Sequence, residues 1–348
     1  MKQPAPASSP WGRRRSRLRR WAAGLGVLGL LTAGPAPVEA QRRYVVAFAN
    51  LTEEPGVTVE GTGFTGREIR ESFTLAARAH PVEMVFYDNQ RDDARAVANA
   101  EAGIARKVDL YIQYHRGAAN AVVAEKLKAA GIPLLALNYP IPGAPVYTAD
   151  NLAAGRIAGE ALAQFAGRSW RGQAMVAAVI GNLSDTIDRV PERAQGVAEA
   201  LAQRLPAVRV ATLDTKGNPV QIAPLLGKFL AGQPRAKLLL AATDDATALA
   251  VKATVEAAGR AQDTAIVSHG VDRSIHGGIN DRKEIDPTNR GSIVIGSVAF
   301  YLDRYGYDVL PLAMRMLRRE AVPPRVATRH TLITAANVFI EYPPYDMN

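Results

Sequence analysis

Short apolar runs rich in aliphatic residues alternate with amphipathic stretches along almost all of the chain beyond residue 43, and this alternation limits the possible folds most. The pattern predicts strands over 44–49, 82–87, 109–114, 133–137, 174–180, 208–213, 237–242 and 264–269. It predicts helices over 67–79, 92–106, 118–130, 152–166, 191–204, 220–231, 245–258 and 305–317. Two further extended runs are expected at 292–295 and 332–340. The strands lack a polar/apolar alternation, as expected when helices cover both sheet faces. Strand followed by helix, repeated, is the order of parallel doubly wound α/β sheets. Nine or more strands suit two sheets better than one. The stretch Tyr139-Pro-Ile-Pro-Gly-Ala-Pro145 is the natural boundary between the halves.

The first forty residues read differently. Arg13, Arg14, Arg15, Arg17, Arg19 and Arg20 precede an apolar run from Trp21 to about Thr32, and then small residues at Val38 and Ala40. Positive, apolar, small-x-small is the order of a secretory signal peptide, here cut after Ala40. The apolar run falls short of the roughly 20 residues of a membrane span. Arg19-Arg20 also allows a twin-arginine route.

This segment distorts the charge balance. Of 42 Lys/Arg and 33 Asp/Glu, seven and one lie in residues 1–40, which leaves 35 and 32, a net +3 instead of +9. The basic character belongs to the expected export segment and does not point to nucleic acid. The chain has no cysteine, which excludes disulfides, thiolate metal sites, a cysteine nucleophile and a cysteine-linked lipid. No later run is long enough to span a membrane. A soluble periplasmic protein is therefore expected. The five histidines show no metal-binding spacing, and no cofactor is expected.

Gly61-Thr-Gly-Phe-Thr-Gly66 spells GxGxxG ahead of a predicted helix, and Asp88 follows the next strand. That is the dinucleotide fingerprint, and it keeps open an exported NAD(P)-dependent oxidoreductase. The fingerprint, however, sets its first glycine directly after the strand, whereas eleven residues, Asn50–Glu60, intervene here. The alternative is a long glycine-rich loop that reaches a ligand through Phe64. In the second half, Asp150 is placed to cap a small-residue helix, and Gly155 and Gly159 lie on one face of it, permitting close packing. Pro191 opens the helix that carries Arg193. Thr243-Asp244-Asp245 and His269-Gly-Val-Asp272 end two further strands, where open α/β sheets bind ligands. His115 and Arg116 follow the third strand and are candidates for the same space.

Taken together, Tyr87-Asp-Asn89-Gln90, Gly131–Asn138, Thr148–Asn151 with Gly155 and Gly159, Glu192–Gly196, Thr243–Asp245 and Gly270–Asp272 resemble the periplasmic binding proteins of the ribose/galactose type, the LacI-like type I sugar-binding fold. The resemblance spans residues 41–348. It implies an α/β protein of two doubly wound parallel-sheet lobes joined by a three-strand hinge, with crossings near Ala149, Phe300 and His330. It implies lobes of residues 41–149 plus 301–330 and 150–300 plus 331–348. Arg193, Asp244 and Asp272 would hold sugar hydroxyls, and Phe64 would stack on the ring. Asn89, His115, Arg116, Asn138, Tyr139 and Phe300 complete the expected binding set. The chain departs from the pattern at Asn138-Tyr139, where the relatives have Asp-Arg, at Phe300 in place of a glutamine, and in an insertion over Ser274–Arg290 that carries His276, Asp281, Arg282, Lys283 and Glu284. A modified, larger or partly aromatic ligand is thus as compatible as a simple sugar. The implied activity is capture and delivery to an ABC transporter permease, without catalysis. The alternative partner is a histidine kinase or chemoreceptor.

Overall fold

The computed structural model describes residues 43–277 and 282–343. The expected export segment with its cut after Ala40, Asp281 of the expected insertion, and residues 344–348 lie outside the described residues.

The first lobe is built from β1 (Tyr44–Asn50), α1 (Gly66–Ala76), β2 (Val82–Asp88), α2 (Asp93–Ala105), β3 (Leu110–Gln113), α3 (Ala119–Ala129), β4 (Leu134–Leu137) and β5 (Val146–Thr148). The second lobe follows with α4 (Asn151–Ser169), β6 (Met175–Gly181), α5 (Val190–Arg204), β7 (Val210–Asp214), α6 (Ile222–Ala231), β8 (Lys237–Ala242), α7 (Asp245–Ala257), β9 (Thr264–Gly270), the short α8 (Arg273–His276) and β10 (Val294–Ala299). The chain returns to the first lobe for α9 (Tyr305–Leu317) and β11 (Arg325–Ala327), and ends in the second with β12 (Thr331–Ile333) and α10 (Val338–Glu341).

The sheets run β11-β5-β4-β3-β1-β2 and β12-β10-β9-β8-β6-β7. Every pairing is parallel except β10 with β12. All seven residues of β9 are buried, which is why the central strands read as continuous apolar runs. In each sheet the order reverses at the first strand, β1 between β2 and β3, β6 between β7 and β8. Such a reversal opens a crevice beyond the carboxyl ends of those strands. The loops that follow β1 and β6 hence lie where a ligand can enter.

Three segments pass between the sheets, at Ala149–Asp150, Phe300–Tyr301 and Thr328–His330. His330 ties them together. Its Nε2 accepts the Asp150 amide at 3.0 Å, so Nδ1 carries the proton and donates to the Ala299 carbonyl at 2.9 Å. Burial pushes this imidazole down to about 4, and it stays neutral.

Helices α4 and α5 pack almost backbone to backbone. A Cβ on Gly155 would lie 2.1 Å from the Arg193 carbonyl oxygen, and one on Gly196 2.3 Å from that of Leu152. Only the missing side chains allow this approach, and it brings Asn151 at the start of α4 against Arg193 at the start of α5.

The structure departs from the sequence pattern at the C-terminal end. The run expected to be extended over 332–340 is a strand only to Ile333. Asn337 Oδ1 then accepts the Thr334 amide at 2.7 Å, the Val338 amide donates to the Thr334 carbonyl at 3.0 Å, and the chain coils into α10. An asparagine side chain that bonds local backbone competes with a ladder. The three-residue strands β5 and β11 were not expected, because each is shorter than a recognisable apolar run.

Candidate functional site

Arg193 stands at the centre of the lobe junction. Pro191 sets the first turn of α5 and leaves Arg193 two residues further on, aimed along the helix start. Its side chain is fully buried. Nε donates to Asn151 Oδ1 at 2.7 Å, and Nη1 to the Thr243 carbonyl at 2.6 Å, both within the second lobe. Nη1 also donates to the Gly61 carbonyl at 2.6 Å and Nη2 to the Glu60 carbonyl at 2.5 Å, both on the first-lobe loop after β1. The guanidinium lies 4.2 Å from the centroid of the Phe300 ring. Burial lowers its pKa to about 10, with Asp244 and Glu60 opposing the shift, so it stays charged at neutral pH.

The loop that meets Arg193 carries its own buried acid. Glu60 adopts a left-handed backbone, φ 57°, and its carboxylate accepts from the Tyr305 hydroxyl at 2.8 Å and the Tyr114 hydroxyl at 3.1 Å. Burial pushes this carboxyl up to about 7, although the Tyr305 bond opposes the rise. Tyr114 stacks on Tyr139, centroids 5.8 Å apart. Tyr139 donates to Asp188 of the second lobe at 2.5 Å, and Arg116 Nη1 stands 3.8 Å from the same carboxylate. Burial holds Asp188 above the usual carboxylate range.

Asp272 approaches the loop from the other side. Its Oδ1 accepts the Ser274 amide at 2.7 Å, capping α8, and its backbone N–H donates to Asp245 Oδ2 at 2.8 Å. A Cβ on Gly63 would sit 1.7 Å from Asp272 Oδ2. The turn that delivers Asp272 is strained, because Val271 is β-branched yet has φ 64°. Asp245 is fully buried, accepts the hydroxyls of Ser268 at 2.6 Å and Ser297 at 2.7 Å, and is pushed above the usual range by burial and by Asp272.

Asp244 faces elsewhere. It caps α7, accepting the Thr247 amide at 2.7 Å and hydroxyl at 2.8 Å, and it lines a cavity of about 340 Å³ between Gly61–Gly63 of the loop and Asn182, Thr215 and Thr247 of the second lobe. A cavity of about 360 Å³ lies beside the second crossing, between α1, α8 and the start of α9. It is lined by charges of both signs, among them Glu68, Glu71, Arg273 and Arg304.

The expected binding set thus divides. Arg193, Phe300, Tyr139, Arg116 and Asp272 meet at the lobe junction, and Asp244 lines the neighbouring cavity. Phe64 is only 3% exposed and packs in the main hydrophobic cluster. Asn89 is buried in the first lobe, where Nδ2 donates to the carbonyls of Ala49 at 3.3 Å and Tyr114 at 3.2 Å. His115 Nε2 bonds Asp93 Oδ1 at 2.7 Å, inside the same lobe. Asn138 accepts the Thr148 hydroxyl at 3.1 Å. His269 donates to the Ala242 carbonyl at 2.8 Å from a fully buried position. Glu60, Tyr114, Asp188 and Tyr305 were missed. Nothing in their spacing marks them, since the loop that brings Glu60 across is irregular. Asn151 lay within the Thr148–Asn151 motif and could have been drawn from it.

The three glycines of GxGxxG have separate packing reasons. Gly61 is left-handed, φ 57°, at the Arg193 contact, Gly63 abuts Asp272, and a Cβ on Gly66 would lie 1.8 Å from the Thr52 carbonyl. Thr65 and Glu68 form a capping box at the start of α1, with Glu68 Oε2 accepting the Thr65 amide at 2.8 Å. A pyrophosphate there would meet a carboxylate, so the dinucleotide reading of this motif finds no support. Among the described residues no group of three or more His, Asp or Glu side chains is arranged to hold a metal ion.

Solved structures share this fold. A sugar-binding protein of a sugar ABC transporter from Bacillus halodurans is similar, at 19% identity and a TM-score of 0.65, covering 86% of this chain and 99% of its own. A structure from Mycobacterium smegmatis matches at 19% identity and a TM-score of 0.66, covering 86% and 94%. A periplasmic solute-binding protein of an ABC transporter from Actinobacillus succinogenes, with bound D-allose, matches at 16% identity and a TM-score of 0.64, covering 84% and 98%. No curated protein sequence matches the chain. The model of the periplasmic binding protein domain matches residues 56–319, which takes in most of both lobes, and the chain belongs to that family.

Proposed function

We propose that the protein is a periplasmic receptor that captures a small carbohydrate-like molecule between its lobes and hands it to the permease of an ABC importer. The lobes are residues 41–149 plus 301–330 and 150–300 plus 331–348, and residues 1–40 are removed on export. The family match across both lobes carries this reading. The bonds from Arg193 of one lobe to Glu60 and Gly61 of the other supply its physical basis, because a closed form held by such contacts is one that a ligand can favour. The role is binding and release, with no chemical step.

The test is thermal unfolding of the purified protein with D-allose, D-galactose or D-tagatose, sugars named with similar solved proteins. A sugar at about a hundred times its Kd adds about 2.7 kcal/mol to stability. The expected result is a saturable rise in the unfolding midpoint with at least one of them. A flat midpoint across sugars of this class contradicts the reading. Export predicts a mature N-terminus at Gln41, which N-terminal sequencing of periplasmic protein checks. A chain that still begins at Met1 contradicts it.

A further inference from the structure

The residues expected to grip a ligand are already engaged by the protein itself. Nε, Nη1 and Nη2 of Arg193 all donate to protein acceptors, two of them backbone carbonyls of the loop tip, and no part of the side chain meets solvent. The Asp272 carboxylate is pressed against Gly63 of the same tip. The tip, Glu60–Gly63, therefore fills the Arg193–Asp272 end of the cleft. Its left-handed backbone at Glu60 and Gly61, and the two tyrosine hydroxyls on Glu60, hold it there.

Open space remains on the far side of the tip. We propose that the ligand is held in the cavity between Gly61–Gly63 and the wall formed by Asn182, Thr215, Asp244 and Thr247, with the tip, as Arg193 holds it in the closed form, as one side of the site. This deepens the receptor reading above and rests on it. Arg193 and Asp272 are then positioning residues, which hold the tip and do not touch the ligand.

The wall is built for the task. Asp214 Oδ1 accepts the amides of both Leu183, at 3.0 Å, and Lys216, at 2.9 Å, and so ties together the two loops that present Asn182 and Thr215. Asp244 is fixed by its cap to α7, and a carboxylate engaged in this way retains acceptor capacity for a hydroxyl. Preorganised polar groups of this kind orient a ligand without new ordering cost. The rest of the lining is Thr58 and Gly217 together with the aliphatic Pro219, Ile222, Ala246 and Ala250, and no aromatic ring and no cation is part of it. Its single charge is the Asp244 carboxylate. The lining suits a neutral polyhydroxylated molecule with one apolar face, of about monosaccharide size, and it disfavours anions.

The test compares four proteins by calorimetric titration with D-allose, D-galactose and D-tagatose: the unaltered protein, Asn182→Ala, Ala250→Leu and Gly63→Ala. Melting without sugar checks that each is folded. The unaltered protein should bind at least one sugar. Asn182→Ala removes a grip and Ala250→Leu fills the cavity, and each should raise Kd at least about tenfold. Gly63→Ala forces the Asp272 side chain and the tip apart and should also weaken binding. If Gly63→Ala tightens binding, the sugar displaces the tip to reach Arg193, and the proposed site is wrong. If folded Asn182→Ala and Ala250→Leu bind like the unaltered protein, the site is wrong while the receptor reading stands. If the unaltered protein binds none of the sugars, the receptor reading fails and takes the site with it.

Discussion

At the scale of single residues, the buried carboxyl of Glu60 has the clearest consequence. Its folded pKa of about 7 lies above its ordinary 4.5, so the folded state binds the extra proton between those values. The stability this contributes is fully present below about pH 4.5 and is lost as pH rises through about 7, in total about 3 kcal/mol. Glu60→Gln keeps the shape without the ionisation. We expect the mutant to gain stability relative to the unaltered protein between about pH 5 and about pH 8, read by urea unfolding at each pH. His269 and His330, held down at about 3 and about 4 by burial, act in the opposite sense in both proteins and cancel in the difference. A difference that does not change with pH contradicts a buried, titrating Glu60. Arg193 was legible in the sequence because a proline-opened helix after a strand end is a local signal. Its partner Glu60 was not, because nothing local fixes where the tip of an irregular loop lands.

At the scale of elements, the α4–α5 contact decides where Arg193 and Asn151 lie. Gly155→Val would drive two methyl groups into the Arg193 backbone, and overpacking of this kind costs about 3 kcal/mol or more. Gly167→Ala, in the same helix but facing open space, should instead add about 0.5 to 1 kcal/mol through helix propensity. Chemical unfolding of the two variants checks both, and equal destabilisation would contradict the packing role of Gly155. The long strands and helices were legible because each carries a full period of pattern. β5, β11 and α10 were not. The first two gain their identity from pairing with each other, and α10 from a turn that Asn337 closes.

At the scale of the molecule, the two sheets and the alternation that builds them could be anticipated, because covering both sheet faces leaves a mark on every strand. The place proposed for the ligand could not, since it depends on a loop of one lobe lodging against the other. His330, which bonds the first and second crossings, clasps the hinge. The account as a whole stands on capture between lobes that move. Because the chain has no cysteine, Val122→Cys on α3 and Lys228→Cys on α6, both exposed, place one dye on each lobe. Energy transfer between them, followed during titration with a sugar that stabilises the protein, tests that claim directly. Transfer should change saturably, with the midpoint of the thermal titration. A sugar that binds to saturation while transfer stays constant would contradict it.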